Sequence, residues 1–216
     1  MDVRTVARAG GWAGIIGGVV GVGAAVFLIV VPPAVPDDVF NYPLDPDVFI
    51  AVQVAFFVHH LVIAFALWAF WRAGLAGTTR FATVSAISAV AVMAGLGVWE
   101  VLVLSATGLP YPAAETAWID TGYGLLSLGC GVTLVMLGIA AARARVLVGA
   151  ARWIVLISGI YVFVPMVPAL FAGLVLGRVA LGVWLLLFAW MGISMLRWAG
   201  APSETRRQDS AVKVPA

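Results

Sequence analysis

The chain has 216 residues, of which 63% are hydrophobic and only 10% are Asp, Glu, Lys or Arg. An ordinary soluble domain carries about a quarter charged residues, so that class is excluded. A formal charge of +2, set by short clusters of arginine, provides no extended basic face for nucleic acid.

The first apolar run, residues 11–31, follows Arg4 and Arg8. It is longer than the core of a signal peptide, and prolines 32, 33 and 36 follow it instead of a small-residue cleavage site. It is therefore expected to stay as a first membrane span. Gly10, Gly14 and Gly18 recur every fourth residue, with Gly17 and Gly21 as a second pair. Small residues at this spacing let two helix backbones approach closely. The face serves either a homo-oligomer or packing against a neighbouring span of the same chain, and the second use is favoured. Asp37, Asp38, Asp45 and Asp47 follow around Pro43 and Pro46, as in a solvated loop of Pro-Asp turns that could also draw a cation.

The second run, 49–71, holds Gln53, His59 and His60. Gln53, Phe57, His60, Ala64, Leu67 and Trp71 share a stripe at helical spacing, whereas the stripe through His59 carries Val52, Phe56, Ile63 and Phe70. His60 is thus expected to point inward and hydrogen-bond across helices, with His59 at the lipid or packing edge. The third run, 81–105, has a small-residue face of Ala82, Ala86, Ala89 and Gly97 that turns Glu100 toward protein. The fourth, 121–142, holds Tyr123, and Cys130 between Gly129 and Gly131 as a small packing residue. As the single cysteine, Cys130 excludes an intrachain disulfide.

The fifth run, 153–174, contains Tyr161, Pro165 and Pro168. Each proline removes a helical hydrogen bond and clashes with the carbonyl four residues earlier, which predicts a bend of more than about 20°. Gly173, Gly177 and Arg178 mark a tight reversal before the sixth run, 180–196. Residues 200–216 are polar and read as a disordered cytoplasmic tail.

Each run can cross a hydrocarbon core of about 30 Å as a helix. The predicted fold is an all-α integral membrane protein, a six-transmembrane-helix bundle within residues 1–199. Its charges segregate. With six spans, Arg4, Arg8, Arg72, Arg80, Arg143, Arg145, Arg152, Arg197, Arg206, Arg207 and Lys213 share one side. The aspartates named above, Glu115 and Asp120 fall on the other, with Arg178 as its only basic residue. The positive-inside rule then puts both termini in the cytoplasm. Trp12, Trp71, Trp153 and Trp198 fall at the cytoplasmic ends of their spans, and Trp99, Trp118 and Trp184 near the outer ends, as in two aromatic belts. Trp190 falls deep in the sixth span as a packing residue. Arginine far outnumbers lysine, a bias that suggests a GC-rich bacterial genome and so a bacterial plasma membrane.

Ionisable groups within spans are costly and mark candidate sites. At about 1.5 Å per residue, His60 lies about 18 Å from Arg72, in a midplane tier with Cys130 and Tyr161. Gln53, Glu100, Tyr123 and Arg178 form a tier nearer the outside. Gln53, His60, Glu100, Tyr123, Tyr161 and Arg178 are the candidate ligand-binding residues. No catalytic set, metal site or cofactor is expected. Adjacent histidines on one helix diverge by about 100° and cannot clamp one haem iron. Zinc or di-iron would need three or four ligands at one depth. The leading functional expectation is a non-enzymatic membrane component acting as a subunit, stabiliser or regulator. It touches membrane lipids, with a second copy or another membrane protein as a possible partner and no nucleic acid. The alternatives are a small-molecule or ion binder or carrier between spans 2, 3, 4 and 5, open to the outside, and an enzyme using His60 or Glu100 as acid and base. A water-filled cavity among Gln53, His60 and Glu100 would favour the alternatives, and a filled bundle the first reading.

Overall fold

The computed structural model describes residues 2–201, which are almost entirely helical. Helix α1 spans Val3–Val30, α2 Pro46–Arg72, α3 Arg80–Leu102 and α4 Ala117–Ala144. The fifth span is composite, with α5 Ile154–Tyr161 and α6 Val167–Phe171, and α7 is Leu174–Gly200. Counting the short 3-10 turns at their ends, six helices are long and apolar enough to cross a membrane. That is consistent with a multi-pass membrane protein.

The ends are set by local chemistry. Asp45 caps α2, its Oδ1 accepting from the Asp47 and Val48 N–H groups at 3.1 Å each, and Pro46 occupies the first helical position. Thr79 caps α3 by accepting from the Ala82 N–H at 3.1 Å. These caps start the helices earlier than the apolar runs alone suggest. Residues 3–10, before the first run, are also helical, as are 197–200 after the last.

The reversal before the last span differs from expectation. Gly173, at φ 111°, turns the chain between Phe171 and Leu174. One residue with positive φ suffices for the reversal, so Gly177 and Arg178 lie inside α7 and not in a loop. Gly200 likewise ends α7, and the remainder of the expected tail, 202–216, lies outside the described residues.

Successive helices pack as antiparallel neighbours, and α7 closes back on α1 and on α5. Gly10 meets Met195 of α7 while Gly21 meets Leu185, so these two helices run in opposite directions with both chain ends at one end of the bundle. Call this the terminal end and the other the far end. The contact between α1 and α7 is nearly backbone on backbone. A Cβ at Gly14 would lie 3.0 Å from the Phe188 carbonyl oxygen and 3.2 Å from the Gly192 Cα. The Gly10, Gly14 and Gly18 face is therefore filled by α7, with Ala69 of α2 also against Gly10. Helices α4 and α5 approach in the same way at Gly138 and Gly159. Between the helices a continuous core holds Phe70, Leu67, Met93, Leu134, Phe188 and Met195. Val19, Val20, Leu125, Val164 and Phe171 are exposed on the outside, as expected of side chains that meet lipid.

The prolines change the helix type of the fifth span without interrupting it. A π-helical turn, Val162–Met166, separates α5 from α6 and contains Pro165. Proline lacks the N–H that an α-turn would use and crowds the carbonyl of Tyr161; a wider turn relieves the clash.

Candidate functional site

Four helices bring polar side chains together toward the far end. Gln53 comes from α2, Glu100 from α3, Tyr123 from α4 and Arg178 from α7. Glu100 lies on the buried face of α3 with Ala86, Ala89, Met93 and Gly97. Gly97 makes the position possible. A Cβ there would stand 3.2 Å from the Phe57 carbonyl oxygen, so α2 and α3 close and Glu100 comes level with Gln53. On the other side Gly122 of α4 leaves the space that the Trp99 indole fills. Trp99 meets Trp118 and Tyr123 edge-on, at centroid distances of 5.5 and 6.4 Å.

The result is a buried carboxylate with partners. Tyr123 Oη donates to Glu100 Oε2 at 2.6 Å. The Gln53 amide lies against both Glu100 and Tyr123. Arg178 attracts both through space without closing to a direct ion pair. Gln53 is 5% exposed and Glu100 6%, so little of either reaches solvent. A carboxylate removed from water needs such partners, because an uncompensated buried charge is among the costliest defects.

A cap lies over Trp99 and Tyr123. Phe40, Val103, Ala106 and Ile119 form a small apolar cluster against them. Two loops are tied together above it. Phe40 N–H donates to the Leu109 carbonyl at 3.0 Å, and Tyr111 N–H to that of Asp38 at 2.8 Å. Asn41, buried, accepts from the Gly108 N–H at 2.9 Å and donates to the Leu44 carbonyl at 2.6 Å. Tyr111 Oη donates to Asp120 Oδ1 at 2.5 Å, which joins the loop to α4. Asn41 and Tyr111 are the residues that sequence reasoning missed. The available signal was one amide placed between Phe40 and Tyr42 in a loop otherwise rich in proline and aspartate.

The midplane tier does not assemble. His60 Nδ1 donates to the Phe56 carbonyl of its own helix at 2.7 Å. Cys130 is buried in the apolar core, and Tyr161 packs partly buried against it. Among the described residues no hydrogen bond links these three. The expectation for the two histidines holds for facing and fails for bonding: His60 lies inward against α3, where a Cβ at Gly97 would stand 3.1 Å from its Cβ, yet it bonds within its own helix. It is His59 whose Nε2 donates across to α1, to the Gly17 carbonyl at 2.9 Å. The Gly17/Gly21 pair leaves room for that imidazole, since a Cβ at Gly21 would lie 2.8 Å from Nε2. Adjacent positions on α2 face different neighbours, and α1 covers one while α3 covers the other.

Two tryptophans also differ from expectation. Trp184, placed in the outer belt by sequence position, is 5% exposed and donates to the Ser158 carbonyl at 3.0 Å. Trp190, expected to pack inside, is exposed. The buried face of α7 runs through Ala180, Trp184, Phe188 and Met195, and Trp190 falls outside it.

Among the described residues no group of three His, Cys, Asp or Glu side chains could hold a metal ion. A groove of about 690 Å³ lies between α3 and α4, lined by Gly95, Val98, Trp99, Trp118, Gly122 and Leu125 among others. A smaller cavity of about 290 Å³ lies at the terminal end. Neither is lined by Gln53, His60 or Glu100. No family model, curated protein or solved structure matches the chain.

Proposed function

We propose that this protein is a non-enzymatic component of a bacterial plasma membrane, a subunit, stabiliser or regulator with both termini in the cytoplasm. One observation carries the reading. Gln53, Glu100 and Tyr123 engage one another across three of the chain's own helices, with Glu100 held by Tyr123 and Gln53. They act as a lock between α2, α3 and α4, and neither of the two cavities opens beside them. The orientation rests on the arginines gathered at the terminal end and the acidic loops at the far end. The test is native mass spectrometry of protein released gently from membranes, joined to flux measurements on purified protein in liposomes. A stoichiometric membrane-protein partner and no flux are expected. Solute flux by the chain alone, lost in Glu100→Gln, would overturn the component reading.

A second reading, a small-molecule or ion binder or carrier, is favoured by one feature. The π-turn at Val162–Met166 is a type of irregularity frequent at functional sites. In that reading Arg178, short of a direct ion pair, is the group that a solute would recruit.

A further inference from the structure

The smaller cavity differs in chemistry from the rest of the surface. It lies at the terminal end, where the turn between α2 and α3 meets the end of α4. Gly77, Thr79, Phe81, Ala140, Arg143 and Ala144 line it. A Cβ at Gly77 would stand 3.1 Å from that of Ala144, so the turn lies close against α4. The walls are mostly apolar, and one charged group borders the space, the exposed guanidinium of Arg143. Thr79 adds a hydroxyl. Its oxygen accepts from the Ala82 N–H, which leaves its own hydrogen to donate.

The charge around the cavity has one sign. Arg80 and Arg145 adjoin lining residues in the chain, and Arg72 closes α2 just before the same turn. Of the described acidic residues, only Asp2 lies at this end of the bundle. A cavity with apolar walls and an arginine at its mouth, at the level where helices leave the membrane, matches one type of molecule. It needs a negative head that a guanidinium can grip with paired hydrogen bonds, and a greasy body that continues into the bilayer. Basic pockets between membrane helices bind anionic headgroups on this physical basis.

We propose that this cavity is a binding site for an anionic phospholipid, whose phosphate is held by Arg143 and Thr79 while its glycerol and upper acyl chains lie against Phe81, Ala140 and Ala144. The site rests on the membrane-embedded reading above and not on any particular partner or activity. It makes lipid composition an input to the α2–α3–α4 unit, because the ligand would bridge the α2–α3 turn to α4.

The test uses the full-length protein in nanodiscs of phosphatidylethanolamine with a minor share of phosphatidylglycerol, followed by native mass spectrometry of the lipids retained on release. Retention of phosphatidylglycerol over phosphatidylethanolamine is expected. Arg143→Gln should lower it by about tenfold, the loss of one charge-assisted contact. Arg143→Lys should recover only part of it, because an ammonium lacks the paired geometry. Arg8→Gln, on another helix, should change little. Equal losses in Arg8→Gln and Arg143→Gln would mean diffuse attraction and would overturn the site. Displacement of the lipid by inorganic phosphate at equal concentration would show that free phosphate is the ligand, which also overturns it. Carbonate extraction of cell membranes separates the two readings: protein released there would sink the membrane reading itself, whereas protein retained but without lipid preference would sink only the site.

Discussion

Glu100 shows what a single residue can demand of a fold. Its carboxylate lies in an apolar helix face, and the Tyr123 hydroxyl donates to it at 2.6 Å. Tyr123→Phe removes the donor and leaves the acceptor buried, which should destabilise the protein by about 1–3 kcal/mol. Glu100→Gln keeps the shape of the side chain and an acceptor for the Tyr123 hydroxyl and should cost less. Thermal unfolding in one detergent would rank them, and a Tyr123→Phe protein as stable as wild type would show that the bond is not structural. Tyr111 makes a second prediction, outside the spans. Burial first, and then the hydrogen bond to Asp120 and that group's charge, push its phenol from the ordinary 10.0 up to about 12. The neutral form is thus favoured in the folded cap. The stabilisation is complete below pH 10 and is lost as pH rises through the folded value. Alkaline loosening of the cap between those limits should follow tyrosinate absorbance, and Tyr111→Phe should remove that pH dependence.

Among elements, the pairing of α1 with α7 depends on glycine. A Cβ at Gly192 would press on the Gly11 carbonyl oxygen and stand 2.8 Å from the Ile15 nitrogen. Both are backbone atoms that cannot rotate away. Gly192→Ala should therefore push the helices apart and destabilise the bundle by about 1–3 kcal/mol, the usual cost of overpacking. Gly23 is the control on α1, with nothing within 4 Å of its would-be Cβ. Gly23→Ala should be neutral or stabilising by up to about 1 kcal/mol, through helix propensity alone. Equal effects at the two positions would show that close approach is not what holds this pair. The glycine spacing was plain in the sequence, but spacing does not say which helix will use it. The partner became identifiable only when α7 supplied Gly192 and Ala189 at the matching levels.

For the whole molecule, the alternation of six helices puts every described arginine except Arg178 at the terminal end. A reporter fused at the C-terminus, active only in the cytoplasm, should therefore be active, and the same reporter in the 31–45 loop silent. The opposite pattern would invert the proposed orientation without changing the fold. At the far end two loops hydrogen-bond to each other, and the apolar cluster beneath them packs against Trp99 and Tyr123.

What the sequence determined by itself was the set of helices, their number and the level of each polar group along its helix. Those follow from the length of apolar runs and a rise of about 1.5 Å per residue, which are local quantities. Level was enough to place Gln53, Glu100, Tyr123 and Arg178 in one tier. Rotation about each helix axis was harder to read. Where nearly every face is apolar, hydrophobic periodicity is weak, and this is why the bond across helices fell to His59 and not to the inward-facing His60, and why Trp184 turned inward. The break between α6 and α7 was blurred for a related reason, since a single glycine interrupts otherwise continuous apolar text. The tertiary structure alone decided which neighbour each face meets, because in a bundle of greasy helices that choice rests on the fit of small residues between backbones and on where a buried polar atom finds its partner.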